Sequence, residues 1–258
     1  MSDLKEKRAI WMLNKVPEVT LSFWVIKIMS TTVGETGADY LAVHVGLGTA
    51  ITGGIMAALL LAALLLQLRS RRYVPWIYWL TVVLVSVVGT QITDALTDGL
   101  DVSLYVSTAV FAALLAVTFA VWYWTERTLS IHTIVTTRRE LFYWAAILFT
   151  FALGTAAGDL ATEALGLGFN VGVLVFGLLI AAIAGAYYLG ANAVLAFWLA
   201  YILTRPLGAS LGDLLSQAQT YGGFGLGTVR TSIAFLTVIT ALVTFLSIGP
   251  KQARLRRK

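Results

Sequence analysis

Four times along this chain an aromatic residue and a tryptophan are followed by a glycine ten residues after the tryptophan and an aspartate five residues after that glycine. The copies are Phe23-Trp24, Gly34 and Asp39; Tyr78-Trp79, Gly89 and Asp94; Tyr143-Trp144, Gly154 and Asp159; and Phe197-Trp198, Gly208 and Asp213. Two spacings held constant in four copies mark internal repeats, so the fold must be built from four similar units. The units are also largely apolar. Of 258 residues, 59% are hydrophobic and 12% charged, with a mean hydropathy of +0.84. That is the composition of a polytopic membrane protein.

Eight apolar segments can be marked, at roughly residues 18–41, 45–67, 75–96, 104–124, 141–163, 168–190, 193–214 and 224–248. Each is near the ~20 residues that cross a bilayer as a helix. The pattern predicts an all-α membrane protein, a single integral membrane domain over residues 1–258. Eight transmembrane helices form four parallel two-helix repeats, at approximately 15–67, 73–124, 138–190 and 192–248, with tails at 1–14 and 249–258. Basic clusters sit before the first segment (Lys5, Lys7, Arg8, Lys15), after the second (Arg69, Arg71, Arg72), after the fourth (Arg127, Arg138, Arg139) and after the eighth (Lys251, Arg254, Arg256, Arg257, Lys258). Positive charge collects on the cytoplasmic side, so both termini are expected there and the basic excess needs no nucleic acid partner. No cleavage site ends the first apolar run, so it reads as a span and not as a signal peptide. The repeats then point the same way through the membrane, about a pseudo-axis along its normal.

Helix rise sets depth. The motif tryptophans fall near the inner interface, where an aromatic belt is ordinary. The glycines come ~15 Å further, close to the midplane, and the aspartates ~7 Å beyond. One turn after each glycine stands Ala38, Thr93, Gly158 or Gly212, giving a small-residue face on which helices approach closely. The aspartate turns about 100° from that face, toward a central space. The odd-numbered helices are therefore expected to form an inner ring, with the more uniformly apolar even-numbered helices outside.

Acids dominate that space. Glu35 with Asp39, Asp94 with Asp98, and Asp159 with Glu163 are one turn apart, and such pairs repel when both are ionised. Near hydrocarbon they need protons, a cation or a basic partner. The basic residues within spans are Lys27, Arg205 and Arg230. Glu35, Asp39, Asp94, Asp159 and Asp213 are the candidate ion- or proton-binding residues, and the same five are the candidate metal ligands. Glu35 breaks the symmetry, because the other repeats carry Thr90, Thr155 and Ala209 there. Lys27 is either its counter-ion or a lysine that snorkels to the inner face. Arg205-Pro206 suits a gate, an ion-pair lock or a packing kink. His44 is an accessory candidate at the outer mouth with Asp39, and Asp98 and Glu163 are hydrated acids at the outer interface. His132 falls in a loop without a role.

With no cysteine, disulfides and thiolate sites are excluded. No phosphate loop, zinc-protease helix or nucleophile elbow is present, so an enzyme is not expected.

The repeats resemble a bacterial family of integral membrane proteins described as a four-fold repeat of unknown function, with two transmembrane segments and a characteristic tryptophan per unit. The stretches that carry the resemblance run from Lys15 to Asp39, Tyr73 to Asp94, Leu129 to Asp159 and Asn192 to Asp213. The resemblance implies an eight-span protein of the bacterial inner (plasma) membrane and brings no activity with it.

The residues themselves point to a secondary transporter or exchanger for a small cation. A divalent ion such as manganese or magnesium, exchanged against protons, suits hard carboxylate ligands. The alternative is a membrane scaffold or partner-binding protein whose repeat aspartates hydrogen-bond the bundle together. No resident cofactor is implied, and the expected partners are the lipid bilayer, a small cation and protons.

Overall fold

The computed structural model describes residues 14–43 and 48–255, with side chains described for 14–41 and 48–248. His44 and the basic residues Lys5, Lys7, Arg8, Arg256, Arg257 and Lys258 lie outside the described residues. The described residues form eight long α-helices: α1 (Leu21–Val43), α2 (Thr49–Arg69), α3 (Pro75–Thr97), α4 (Leu104–Glu126), α5 (Thr137–Asp159), α6 (Gly168–Tyr188), α7 (Ala193–Ser216) and α8 (Thr228–Leu255). They fall close to the eight apolar segments. Seven are long and apolar enough to cross a membrane; α1 is as long but carries Lys27, Glu35 and Asp39. The chain is a multi-pass helical membrane protein.

Local chemistry starts the helices. Pro75 at the first turn of α3 lacks an amide hydrogen that would have no partner there. The Asn192 side chain accepts from the amides of Val194 (3.0 Å) and Leu195 (3.1 Å), capping α7. The long connection before α5 is tied by Glu126, which pairs with Arg138 at 2.5 Å and Arg139 at 2.7 Å.

The two kinds of helix differ in what they bury. In α2, α4, α6 and α8 only 11–17% of the apolar stretch is buried, against 50–67% in α3, α5 and α7. Leu61, Val117, Leu178 and Ile233 are among the side chains that face outward from the even helices. In water such a surface would be an aggregation hazard; against lipid it is the expected finish. The odd helices meet one another in a closed cycle: α1 touches α3, α3 touches α5, α5 touches α7 and α7 touches α1. Each even helix packs mainly on the odd helix that follows it: α2 on α3, α4 on α5, α6 on α7, and α8 back on α1. The last contact includes a 2.6 Å hydrogen bond between the hydroxyls of Thr36 and Ser232.

The repeat glycines explain how the cycle closes. A Cβ on Gly34 would fall 1.8 Å from Ser86 Oγ, on Gly89 2.8 Å from Phe151 Cβ, on Gly154 2.5 Å from Arg205 Cβ, and on Gly208 1.8 Å from Thr31 Oγ1. Each glycine thus receives the residue three positions before the glycine of the next repeat. A hydrogen bond reinforces one such contact, from Thr93 Oγ1 to the Ala152 carbonyl at 3.2 Å.

The motif tryptophans are not an interfacial belt. Trp79, Trp144 and Trp198 are 2–5% exposed, packed edge-on against the aromatic residue that precedes each of them. Two find acceptors inside the protein, Trp79 on the Tyr73 hydroxyl at 3.1 Å and Trp198 on the Leu129 carbonyl at 3.0 Å. Trp144 Nε1 is buried without a partner among the described residues, and Trp24 is half-buried.

Candidate functional site

Each odd helix presents a stripe at four-residue spacing that begins at the first aromatic of its motif and ends at the aspartate. The stripe spans sixteen residues, from Phe23 to Asp39 in α1, or about 24 Å of helix rise. The four stripes meet in five successive layers.

The first layer is aromatic. Tyr78 and Tyr143 share a 2.5 Å hydrogen bond between hydroxyls, and the Phe23 and Phe197 rings lie 6.0 Å apart. The second holds Lys27, Val82, Ile147 and Tyr201, all with no exposed surface. The third holds Thr31, Ser86, Phe151 and Arg205, equally enclosed. In the fourth, Glu35, Thr90, Thr155 and Ala209 face one another, and Arg205 reaches up into them. Its Nη2 donates to Glu35 Oε2 at 2.5 Å, to Thr90 Oγ1, and to Thr155 Oγ1 at 2.7 Å. Nη1 donates to the Thr31 carbonyl at 3.5 Å. One guanidinium from the fourth repeat therefore holds the equivalent position of the other three. Its rigid fan of donors suits that task where a lysine would not. Pro206, next to it, packs on the glycine face of α5 at Gly154 and Gly158.

The fifth layer is the aspartates. Asp39, Asp94 and Asp159 are half-buried and Asp213 is 8% exposed. All four lie within electrostatic reach of Glu35 and Arg205. Among the described residues none of them joins an ion pair or a side-chain hydrogen bond. Asp98 and Glu163, one turn further out, are exposed. Exposure thus rises from nothing at Arg205 toward the aspartate end, while the opposite end is closed by aromatic rings. Among the described residues no three His, Asp or Glu side chains gather closely enough to hold a bare metal ion. Past Asp159 the backbone widens into a π-helical turn, Leu160–Ala164, the only one among the described residues. Such turns recur at functional sites.

Lys27 corrects an expectation. It neither pairs with Glu35, which belongs to Arg205, nor snorkels, since it has no exposed surface. Its Nζ has no hydrogen-bond partner and sits 3.9 Å from the Phe151 ring centroid and 4.3 Å from that of Tyr201. Arg205 forms a buried ion pair with Glu35, and the helix that carries Pro206 runs on from Ala193 to Ser216. Arg230 is exposed on α8 and takes no part.

A second buried network escaped the sequence reading. Lys15 Nζ pairs with Glu140 Oε2 at 2.6 Å and donates to the Leu68 carbonyl at 3.0 Å, and Gln67 Nε2 donates to Glu140 Oε1 at 3.1 Å. Lys15 resembles any other anchoring lysine, and only Glu140, an acid inside a basic cluster, hinted at a partner. The network ties the segment before α1 to the end of α2 and the start of α5, joining the first repeat to the third at the basic end. Glu140→Gln keeps the shape and removes the charge; it should cost about 1–2 kcal/mol, read as a lower melting temperature in detergent, with an unchanged melt excluding a structural role.

A cavity of about 620 Å³ opens at the same end between the start of α1, the end of α6 and the start of α7. Its walls, including Leu21, Trp24, Ile183, Tyr187 and Phe197, are mostly apolar, and it is separate from the polar axis.

The chain matches the repeat of unknown function DUF347 over residues 22–73, 77–128, 142–191 and 196–248. Each matched window holds one odd-numbered helix and the even-numbered helix after it. No curated protein and no solved structure matches the chain. With four units in tandem covering most of its length, the chain belongs to the DUF347 repeat family.

Proposed function

We propose that this protein is a secondary transporter for a small cation, exchanging a divalent ion such as manganese or magnesium for protons. The odd-numbered helices act as an inner ring and the even-numbered helices as its lipid-facing jacket. All eight span the bacterial plasma membrane, with both termini in the cytoplasm and the aspartate end outside.

One observation carries the reading: four repeat aspartates, without side-chain partners among the described residues, stand beside a buried Glu35–Arg205 pair. Asp39, Asp94, Asp159, Asp213 and Glu35 set five carboxylates against the two cations Lys27 and Arg205 on this axis. Such an imbalance inside a membrane attracts cations or protons. Among the described residues no three of these carboxylates gather closely enough to hold a metal ion on their own. That fits magnesium-like ions, which dehydrate reluctantly and keep several waters. The cation gathers at the aspartates with part of its shell and competes with the Arg205 guanidinium for Glu35. Arg205 is then a tethered cation that fills the site when it is empty. Protons titrate the same carboxylates, so exchange requires no ATP. The scaffold alternative fits less well, because aspartates that locked the bundle would need partners and these have none among the described residues.

Flux into proteoliposomes tests the proposal, with manganese as the probe. Losing one charged ligand is worth roughly 1.5–3 kcal/mol, so Asp94→Asn and Asp159→Asn should each cut uptake at low manganese about ten- to a hundredfold. The pair should cut it further. Full uptake in both single variants and in the pair removes the aspartates from the path.

A further inference from the structure

We propose that Lys27 is the proton-exchanging group of this site: its amine gives up a proton when a cation takes Glu35 from Arg205 and recovers one when the cation leaves. The inference rests on the cation-transport reading above and adds the residue that couples the two movements.

The argument starts from how poorly the ammonium is held. Lys27 has no exposed surface, and no acceptor lies within hydrogen-bond reach of Nζ. Its support is two aromatic rings, Phe151 at 3.9 Å and Tyr201 at 4.3 Å. A desolvated cation–π contact is worth about 2 kcal/mol. Taking an ion out of water costs several. The charged and neutral forms are therefore closely balanced, and a change in nearby charge decides between them.

The nearby groups supply that change. On its own helix Lys27 has Glu35 two turns away. From α7 come Arg205 and Tyr201, from α5 Tyr143 and Asp159, and from α3 Tyr78 and Asp94. Among the described side chains α2 and α8 contribute no ionisable group to this space, since Arg69 and Arg230 are exposed. In the closed arrangement Glu35 balances Arg205. When a divalent cation displaces the guanidinium, two further positive charges enter a space that already holds two. Relief comes by breaking one N–H bond of the ammonium. The electron pair stays on nitrogen, and the proton passes to a water that enters with the hydrated cation and leaves through the aspartates. Only the first repeat can do this, because Val82, Ile147 and Tyr201 occupy the equivalent positions and none carries an ammonium.

The experiment counts protons. Manganese is added to the purified full-length protein in detergent with little buffer. Bound manganese is read from the loss of the free-ion paramagnetic signal, and released protons from an indicator dye. Metal binding to titratable sites releases protons, and the wild type should release about one more per manganese bound than Lys27→Met. Lys27→Arg, which keeps a cation over the rings but does not surrender its proton, should show the same deficit and serves if the methionine variant fails to fold. In liposomes a pH gradient should drive markedly less manganese accumulation by either variant than by the wild type. Equal proton release and equal pH-driven accumulation in a manganese-binding Lys27 variant overturn the role of Lys27 and leave the cation reading standing. A wild type that binds no manganese overturns the cation reading, and this inference with it.

Discussion

Arg205→Met should be among the most damaging single substitutions in the protein, lowering stability by about 3–5 kcal/mol. The side chain has no exposed surface and its guanidinium donates to Glu35, Thr90, Thr155 and the Thr31 carbonyl. Methionine fills much of the space but leaves the Glu35 carboxylate enclosed without its cation. That unpaired charge, more than the lost attraction, sets the cost. Removing both ends tests the point. Glu35→Gln with Arg205→Met takes away both charges, and the double variant should recover much of what either single change loses. The recovered part is the coupling energy of the pair. Arg205→Lys should fall between, because an ammonium cannot reach three helices in one plane. The measurement is thermal or denaturant unfolding of the four proteins in one detergent. If the two single losses simply add, Arg205 and Glu35 do not act as a unit, and the picture of a cation that must be displaced from Glu35 fails too.

The helices, the four-fold repeat and the aspartate level were legible in the sequence because each depends on one residue type at a fixed spacing. Gly34 and Asp39 look like Gly89 and Asp94 wherever they are met. The layers between aromatics and aspartates were not legible, because repeat-equivalent positions differ chemically. Thr31, Ser86, Phe151 and Arg205 share a layer and nothing else. The partner of Glu35 was misjudged for the same reason. A helix period exposes candidates on the same helix, such as Lys27. The true partner lies 170 positions away, and only the closed cycle of odd helices brings it in. The tryptophans show a different limit. Their depth was estimated from basic clusters, but a residue near an interface can turn inward, and here the Tyr73 hydroxyl and the Leu129 carbonyl were waiting there. The Lys15–Glu140 pair was hidden because a buried lysine and an anchoring lysine are the same letter.

Gly34→Ala and Gly208→Ala should each destabilise the protein by about 3 kcal/mol, at the upper end of ordinary overpacking. Two effects compete. Alanine is the better helix former by about 1 kcal/mol, so an alanine with room would stabilise. At Gly34 the new methyl would sit 1.8 Å from Ser86 Oγ and 2.5 Å from Ser86 Cβ. At Gly208 it would sit 1.8 Å from Thr31 Oγ1 and 2.6 Å from Thr31 Cβ. A hydroxyl can rotate away, but a Cβ is fixed to its backbone, so the helices themselves must part and overpacking wins over propensity. Both contacts lie in the cycle of odd helices, between α1 and α3 and between α7 and α1, and parting them loosens the layers that hold Arg205. The clash can be relieved from the other side. Ser86→Gly removes the two side-chain atoms that face Gly34 and leaves only the Ser86 backbone carbon at 3.0 Å, so Gly34→Ala with Ser86→Gly should be more stable than Gly34→Ala alone, although each change by itself is harmful. Gly177 and Gly185 of α6 have nothing within 4 Å of a new Cβ. Alanine at either should be neutral or gain up to about 1 kcal/mol. Melting all five variants in the same detergent separates the two effects. If Gly34→Ala melts like Gly177→Ala, the odd helices do not touch where the repeat glycines stand, and neither the layered axis nor the Glu35–Arg205 pair at its centre can hold the geometry on which the proposed transport rests.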